Sequence, residues 1–134
     1  MRAWLVKSEP STYSFADLRR EGRTRWDGVR NAGALIHLRA MRKGDDVLFY
    51  HTGGEKRIVG LAKAASDPYP APPGDDPRAV VVDLSPVRPL ATPVSLAAIK
   101  ARREMAAFPL VRLGRLSVLP VSPAEWRTLL AMSD

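Results

Sequence analysis

The chain has 134 residues, of which 46% are hydrophobic and 26% charged, and we expect one globular domain over residues 1–134. It has no cysteine and two histidines, which excludes disulfides, thiolate catalysis and cysteine-ligated metals and leaves little for a metal cage. Lys and Arg number 21 against 14 Asp and Glu, a net charge of +7, so nucleic acid is the first partner class to test, with solvated surface charge as the alternative. Since no apolar run is long enough to span a bilayer and no signal peptide is evident, we expect a cytoplasmic protein without membrane contact.

Apolar runs and turn residues predict three strands and two helices in the first half of the chain. The opening strand ends where Pro10 withholds a backbone donor, and Ser14, three residues before Asp17, resembles the start of a capped helix. Gly53 and Gly54 permit a tight reversal between two later apolar runs. The predicted elements are a strand at 3–7, a helix at 15–21, a loop at 22–31, a helix at 31–41 and a hairpin of strands at 46–52 and 57–63.

The second half is predicted to be less regular. An apolar run at 79–84 indicates a strand bounded by Pro86 and Pro89, and Ser122, three residues before Glu125, indicates a capped C-terminal helix. Other predicted elements are a proline-rich loop at 69–77, a helix at 95–103 and a strand at 116–119. Five strands and four helices in this order predict an α+β fold, a small, mostly antiparallel barrel or curled sheet with helices packed outside.

Residue types that serve catalysis are present in weak motifs. Ser8, Asp27 and His51 supply the groups of a hydrolytic triad, but no Gly-x-Ser-x-Gly elbow surrounds Ser8. The segment 53–56 lies between two predicted strands and lacks the Lys-Ser/Thr of a phosphate-binding loop, so we interpret it as a turn. His51, at the end of a strand, is interpreted as structural or pocket-lining rather than as a base.

Trp26 is the strongest candidate for binding. It lies in a polar, glycine-containing segment and is followed closely by Arg30 and Asn31. An aromatic ring beside hydrogen-bonding groups is the combination that stacks a flipped or single-stranded base and reads its edge. Because tryptophan is usually well buried, the alternative is that Trp26 anchors the core.

Five segments resemble the successive signatures of the EVE domain, a member of the PUA-like superfamily that is related to the YTH and ASCH domains. They are KSEPSTYS (7–14), RTRWDGVRN (23–31), GDDVLFYH (44–51), IVG (58–60) and LSVLPV (116–121). The resemblance implies a PUA-like barrel of about five or six strands with flanking helices. It also implies a pocket for a modified base, a cytosine or an adenine, in DNA or RNA, with no cofactor.

The resemblance also implies a set of site residues. Trp26 would form one wall of a base cage, Ser8 would test the base edge, and Asn31 would offer both a donor and an acceptor. Arg30 would contact a phosphate or the base. The full set is Lys7, Ser8, Glu9, Trp26, Arg30, Asn31, Tyr50, His51, Leu116 and Ser117.

The chain departs from the family directly after Arg30. Family members usually continue Asn-Tyr-Gln-Ala-Arg-Asn, whereas this chain has Asn-Ala-Gly-Ala-Leu-Ile at 31–36 and so lacks an aromatic residue, an arginine and an asparagine. Ala32 and Gly33 either leave room for a bulkier modification or mark a loss of base recognition.

Three functions remain open from the sequence. The leading hypothesis is a non-catalytic reader that draws in a strand by charge and stacks a displaced base on Trp26. The second is a small hydrolase acting on a nucleotide or RNA through Ser8 or His51, and the third is a sensor of a free nucleotide or another small molecule. The choice between DNA and RNA, the modification and the oligomeric state are not determined by the sequence.

Overall fold

The computed structural model describes residues 2–134, which form seven strands and five helices. The strands are β1 (Ala3–Ser8), β2 (Thr24–Trp26), β3 (Asp46–His51), β4 (Arg57–Ala64), β5 (Tyr69–Pro70), β6 (Val80–Ser95) and β7 (Val118–Val121). The helices are α1 (Phe15–Glu21), α2 (Ala32–Ala40), α3 (Leu96–Lys100), α4 (Pro109–Arg112) and α5 (Pro123–Met132), with a short 3-10 turn at Arg103–Met105.

Six strands form one continuous path in the order β2-β6-β4-β3-β1-β7, and β5 pairs with β6 beside it. Only β1 and β3 are parallel, and the other pairs are antiparallel. The sheet curls into a half-barrel that stays open, because β2 and β7 end the path without pairing to each other within residues 2–134. The predicted α+β fold with a mostly antiparallel curled sheet is confirmed.

Both faces of the sheet are buried against helices. Successive residues of a strand point to opposite faces, and on β3 this places Val47 and Phe49 in one apolar cluster and Leu48 and Tyr50 in the other. Helices α1 and α2 contribute to the first cluster and α3, α4 and α5 to the second. Since strands buried on both faces carry apolar residues without alternation, this explains the continuous apolar runs of β1 and β3.

The largest error of the sequence prediction concerns the length of β6. The strand predicted at 79–84 runs instead to Ser95 and passes through Pro86 and Pro89. Proline is tolerated where a ladder is irregular, and the register between β4 and β6 shifts before Gly60 and again after Leu61. The two prolines pair at these irregular positions, opposite Ala62 and Gly60.

Smaller corrections concern short elements. The loop predicted at 22–31 contains β2, the proline-rich loop contains β5, and the last strand lies at 118–121 rather than 116–119. The helix predicted at 95–103 ends at Lys100, and α4 was not predicted. These elements are two to five residues long, too short for a periodic pattern to define them. The hairpin of β3 and β4 and the capping boxes of α1 and α5 are confirmed.

The absence of a side chain at Gly60 on β4 allows the ring of Phe15 to pack in the aromatic core. A Cβ at this position would lie 2.4 Å from ring carbons of Phe15, which packs directly over the strand backbone. Phe15 in turn packs on Phe49, with 5.4 Å between the ring centroids. Any side chain at Gly60 therefore displaces the Phe15 ring and disturbs the contact between the two rings.

We expect Gly60→Ala to lower the free energy of unfolding by about 1–3 kcal/mol, the usual cost of overpacking a core. The matched control is Gly54→Ala in the turn between β3 and β4, where a Cβ would have no heavy atom within 4 Å. Its effect should stay within about 0.5 kcal/mol. Urea unfolding of both variants measures the difference, and equal effects would contradict the proposed contact with Phe15.

Candidate nucleic-acid interface

Trp26 lies at the boundary between the core and solvent. It ends β2, where it pairs with Val82 of β6, and its side chain is half-buried. The indole meets the ring of Phe49 edge-on, with 5.5 Å between centroids and 79° between planes. Tyr13 stands at 6.3 Å and 73° beside it. The ring is thus held by aromatic contacts while part of it stays accessible.

A cleft of about 570 Å³ opens beside this indole. It is lined by Lys7, Ser8, Glu9, Thr12, Tyr13, Thr24, Arg25, Trp26, Asp27, Gly28, Val29, Arg30 and Ser117. The volume falls within the range of small-molecule sites, about 300–1,000 Å³, and accommodates a nucleobase. The end of β1, the segment before α1 and the segment 24–30 meet here.

The end of β1 supplies polar groups that are already hydrogen-bonded within the protein. The Ser8 hydroxyl donates to the backbone oxygen of Tyr13, and the Lys7 ammonium donates to the backbone oxygen of Gly114 at 2.8 Å. Partial burial lowers the pKa of Lys7 from its ordinary value. The Ser8 oxygen keeps its acceptor capacity and Lys7 keeps two further donors.

Tyr13 lines the cleft next to the indole of Trp26. Its phenol donates a hydrogen bond to Glu21. Burial, followed by this hydrogen bond, raises the pKa of Tyr13 to about 12. The hydroxyl therefore stays protonated at neutral pH and engaged with Glu21, which leaves the ring of Tyr13 as its contribution to the cleft.

Charge at the mouth of the cleft is mixed. Arg25 lies 3.4 Å from Asp27, and Arg30 lies 3.9 Å from Asp75. All four side chains are well exposed, and such surface pairs are worth only about 0–1 kcal/mol. A polyanion can therefore draw either guanidinium away from its carboxylate at little cost.

The structure brings together six of the ten residues that the sequence singled out. Those that line the cleft are Lys7, Ser8, Glu9, Trp26, Arg30 and Ser117. Asn31 and Leu116 line a smaller adjoining cleft together with residues 113–115. Tyr50 lines a further recess, which Lys7 also borders. His51 lines none of these cavities.

Asn31 has a local structural role at the start of α2. Its side-chain oxygen accepts the backbone N–H of Ala34 at 3.0 Å, as an N-cap residue does. A Cβ at Gly33 would lie 3.2 Å from the same oxygen and 3.3 Å from Leu116. The family departure at 31–36 thus lies beside the smaller cleft rather than in the wall of the cleft at Trp26.

His51 is buried and both of its ring nitrogens are engaged. Nε2 accepts the backbone N–H of Phe15 at 3.0 Å, and Nδ1 lies 3.0 Å from a carboxylate oxygen of Glu55. Because Nε2 acts as the acceptor, the ring hydrogen belongs on Nδ1, facing Glu55. The histidine thereby fastens the first turn of α1 to the end of β3.

Several lining residues were not among the predicted site residues. They are Thr12, Tyr13, Thr24, Arg25, Asp27, Gly28 and Val29. All lie in the two segments that carry the most distinctive part of the resemblance, 7–14 and 23–31. Proximity to Trp26 along the chain was therefore a signal for five of them, whereas Thr12 and Tyr13 reach the cleft only through the tertiary fold.

Among residues 2–134, no group of three or more His, Asp or Glu side chains gathers into a metal site. The same part of the chain has no helix with the length and apolarity needed to cross a membrane.

The curled, mostly antiparallel sheet with helices on both faces has a PUA-like fold. The chain belongs to the EVE domain family, whose sequence profile matches residues 2–132. The predicted family membership is confirmed.

Solved structures agree with this assignment. An NMR structure of a Rhodopseudomonas palustris protein is 41% identical, with a TM-score of 0.94 over 99% of this chain and 93% of that one. A crystal structure of human THYN1 in complex with DNA that contains 5-methylcytosine is 28% identical, with a TM-score of 0.92 over 100% and 98% of the two chains. An ASCH structure from Zymomonas mobilis shares the fold alone, at 12% identity and a TM-score of 0.64 over 97% and 94%.

We expect His51→Leu to lower the stability of the fold and to raise the pKa of one neighbouring carboxyl group. Leaving the buried N–H of Phe15 unpaired should lower the free energy of unfolding by about 1–3 kcal/mol. The hydrogen bond from His51, followed by that from Arg57, holds the pKa of Glu55 below its ordinary value, so this pKa should rise in the variant. Urea unfolding and an NMR titration of side-chain carboxyls measure the two effects.

The internal control is Asp76, whose pKa is lowered by hydrogen bonds from Arg78 and should stay low. An unchanged pKa of Glu55 in the variant would refute the assigned hydrogen bond from His51.

Proposed function

We propose that this chain, acting as one domain over residues 1–134, is a non-catalytic reader of a modified base in nucleic acid. The observation that carries the proposal is the half-buried indole of Trp26 in the wall of a base-sized cleft with hydrogen-bonding groups beside it. Aromatic stacking tolerates any base, whereas polar groups at the base edge discriminate. The cleft combines both properties, and no cofactor is part of the proposal.

The relative solved with 5-methylcytosine DNA supports one choice among the possible targets. Because that chain aligns with this one over its whole length, we propose DNA ahead of RNA and a modified cytosine ahead of a modified adenine. A cytoplasmic location belongs to the same proposal.

In the proposed mechanism, positive charge first concentrates the nucleic acid at the domain. The net charge of +7 supplies the long-range attraction, and release of counterions from the phosphates supplies much of the affinity. The target base then leaves its stack, as a base in a duplex must to enter a cleft in the protein. Stacking on Trp26 replaces the stacking on neighbouring bases that the target base gives up when it leaves the duplex.

Recognition of the base edge is assigned to the end of β1. The Ser8 hydroxyl gives its hydrogen to the backbone of Tyr13, so its oxygen faces the ligand as an acceptor. An acceptor suits an exocyclic amino group, which cytosine and adenine carry and thymine lacks. Lys7 retains donors for a base carbonyl or a phosphate.

The hydrogen bonds that Ser8 and His51 already make favour recognition of a base over hydrolysis. A Ser-His hydrolase needs a histidine nitrogen free to take the serine proton. In this chain Ser8 donates to a backbone oxygen, and both nitrogens of His51 face Phe15 and Glu55. We therefore assign Ser8 to recognition of the base edge and His51 to the scaffold that supports it, and neither to a reaction.

We expect Trp26→Ala to weaken binding of an oligonucleotide containing 5-methylcytosine by about 1–3 kcal/mol, the usual contribution of one stacked base. Trp26→Phe is the matched control and should retain most of the affinity because it keeps a ring at the same position. Fluorescence anisotropy measures binding, and circular dichroism checks the fold. Unchanged affinity in folded Trp26→Ala would overturn the stacking role.

We expect Arg30→Gln to reduce the salt dependence of DNA binding, since each phosphate contact adds about 0.9 to the slope of log K against log salt. The control is Arg88→Gln, which removes the same charge from an exposed position of β6 outside the cleft. Anisotropy titrations at several salt concentrations give both slopes. If the two variants show the same slope, Arg30 has no phosphate contact. If wild-type binding is independent of salt, the ligand is a free small molecule rather than a polyanion.

A further inference from the structure

A second cavity, of about 480 Å³, lies away from the cleft at Trp26. It is lined by Arg2, Ala3, Trp4, Asp46, Pro120, Val121, Pro123, Trp126 and Arg127, none of which lines the first cleft. The two sites lie at opposite ends of β1, because Ala3 borders this cavity and Lys7 borders the other. At about 3.3 Å per residue these positions are about 13 Å apart along the strand.

Strands and one helix build this cavity. Ala3 pairs with Val121 and Trp4 with Pro120, so adjacent strands β1 and β7 form its floor. Helix α5 forms a wall, with Pro123, Trp126 and Arg127 at positions i, i+3 and i+4, which share one helix face.

The aromatic surface is preorganised. Trp126 is half-buried and packs against the second apolar cluster, which fixes the indole while part of it remains open to the cavity. Trp4 also borders the cavity, but it is only 3% exposed and packs in the first apolar cluster, on the other face of the sheet, where its indole N–H donates to Asp45 at 3.0 Å. Trp126 is therefore the accessible aromatic plate among the residues that line the cavity.

The charges around this plate favour an anion. Arg2 and Arg127 are exposed, and within residues 2–134 neither lies within 4.0 Å of a carboxylate. The single lining carboxylate, Asp46, is paired with Lys63 at 3.5 Å. Two uncommitted guanidinium groups therefore border an aromatic recess, and guanidinium binds planar carboxylates and phosphates through paired hydrogen bonds.

We propose that this cavity is a second ligand site, which binds a small planar ring carrying a phosphate or carboxylate group. The ring stacks on Trp126 over the floor formed by Ala3 and Val121, and the anionic group is held by Arg2 and Arg127. The shared chemistry, a flat ring with one anionic group, belongs both to nucleoside monophosphates and to aromatic carboxylates. The site is independent of base reading at Trp26.

The test is an NMR titration of the complete chain with four probes. Adenosine 5′-monophosphate and benzoate carry a ring and an anion, adenosine carries the ring alone, and inorganic phosphate carries the anion alone. We expect at least one of the first two to shift the indole N–H of Trp126 and the amides of Ala3 and Val121. Adenosine and phosphate should bind about tenfold more weakly or worse, because each lacks half of the recognition. Which of the two anions binds identifies the source of the ligand.

Matched variants make the assignment falsifiable. The double variant Arg2→Gln, Arg127→Gln should lose about tenfold or more in affinity for the anionic ring, whereas Arg88→Gln and Trp26→Ala should leave it unchanged. The proposal is overturned if neither anionic ring binds at about 10 mM, a level that weak fragments reach. It is equally overturned by full affinity in the double variant, by adenosine binding as well as its monophosphate, or by shifts confined to the cleft at Trp26.

Discussion

The ring of Phe49 connects the core of this domain to its candidate site. It is fully buried on β3, and three other rings pack around it: Phe15 at 5.4 Å, Trp26 at 5.5 Å and His51 at 5.7 Å between centroids. The contacts with Trp26 and His51 are edge-to-face and that with Phe15 is tilted, and such contacts fix ring orientation as well as distance. The indole of Trp26 is therefore oriented by the same aromatic cluster that fastens α1 to the sheet, and Gly60 leaves the space that this cluster requires.

This arrangement explains how a domain with a buried sheet presents a candidate recognition site. Because both faces of the sheet are covered by helices, ligands are restricted to the ends of strands and the segments between them. The end of β1 provides Lys7 and Ser8 with side chains already fixed by hydrogen bonds to Gly114 and Tyr13. A site that is organised before binding loses less entropy when the ligand arrives, which favours affinity from a small contact area.

Sequence reasoning succeeded where the determinants are local and failed where they are tertiary. The capping boxes at Ser14 and Ser122 and the position of Trp26 beside a polar segment follow from neighbouring residues. The path of β6 through Pro86 depends on irregular pairing with β4, which no local pattern records. Asn31 illustrates a further limit of prediction from sequence. An asparagine before a helix suits both an N-cap and a base contact, and in this fold its side chain acts as the N-cap.

In the proposed complex a displaced base rests against the indole of Trp26. An NMR measurement on the complex with DNA carrying a carbon-13-labelled methyl group on one 5-methylcytosine tests this directly. Nuclear Overhauser effects between that methyl group and the ring protons of Trp26 are the predicted result. If the complex at saturation shows effects only between the methyl group and neighbouring bases of an intact stack, the base does not bind at Trp26.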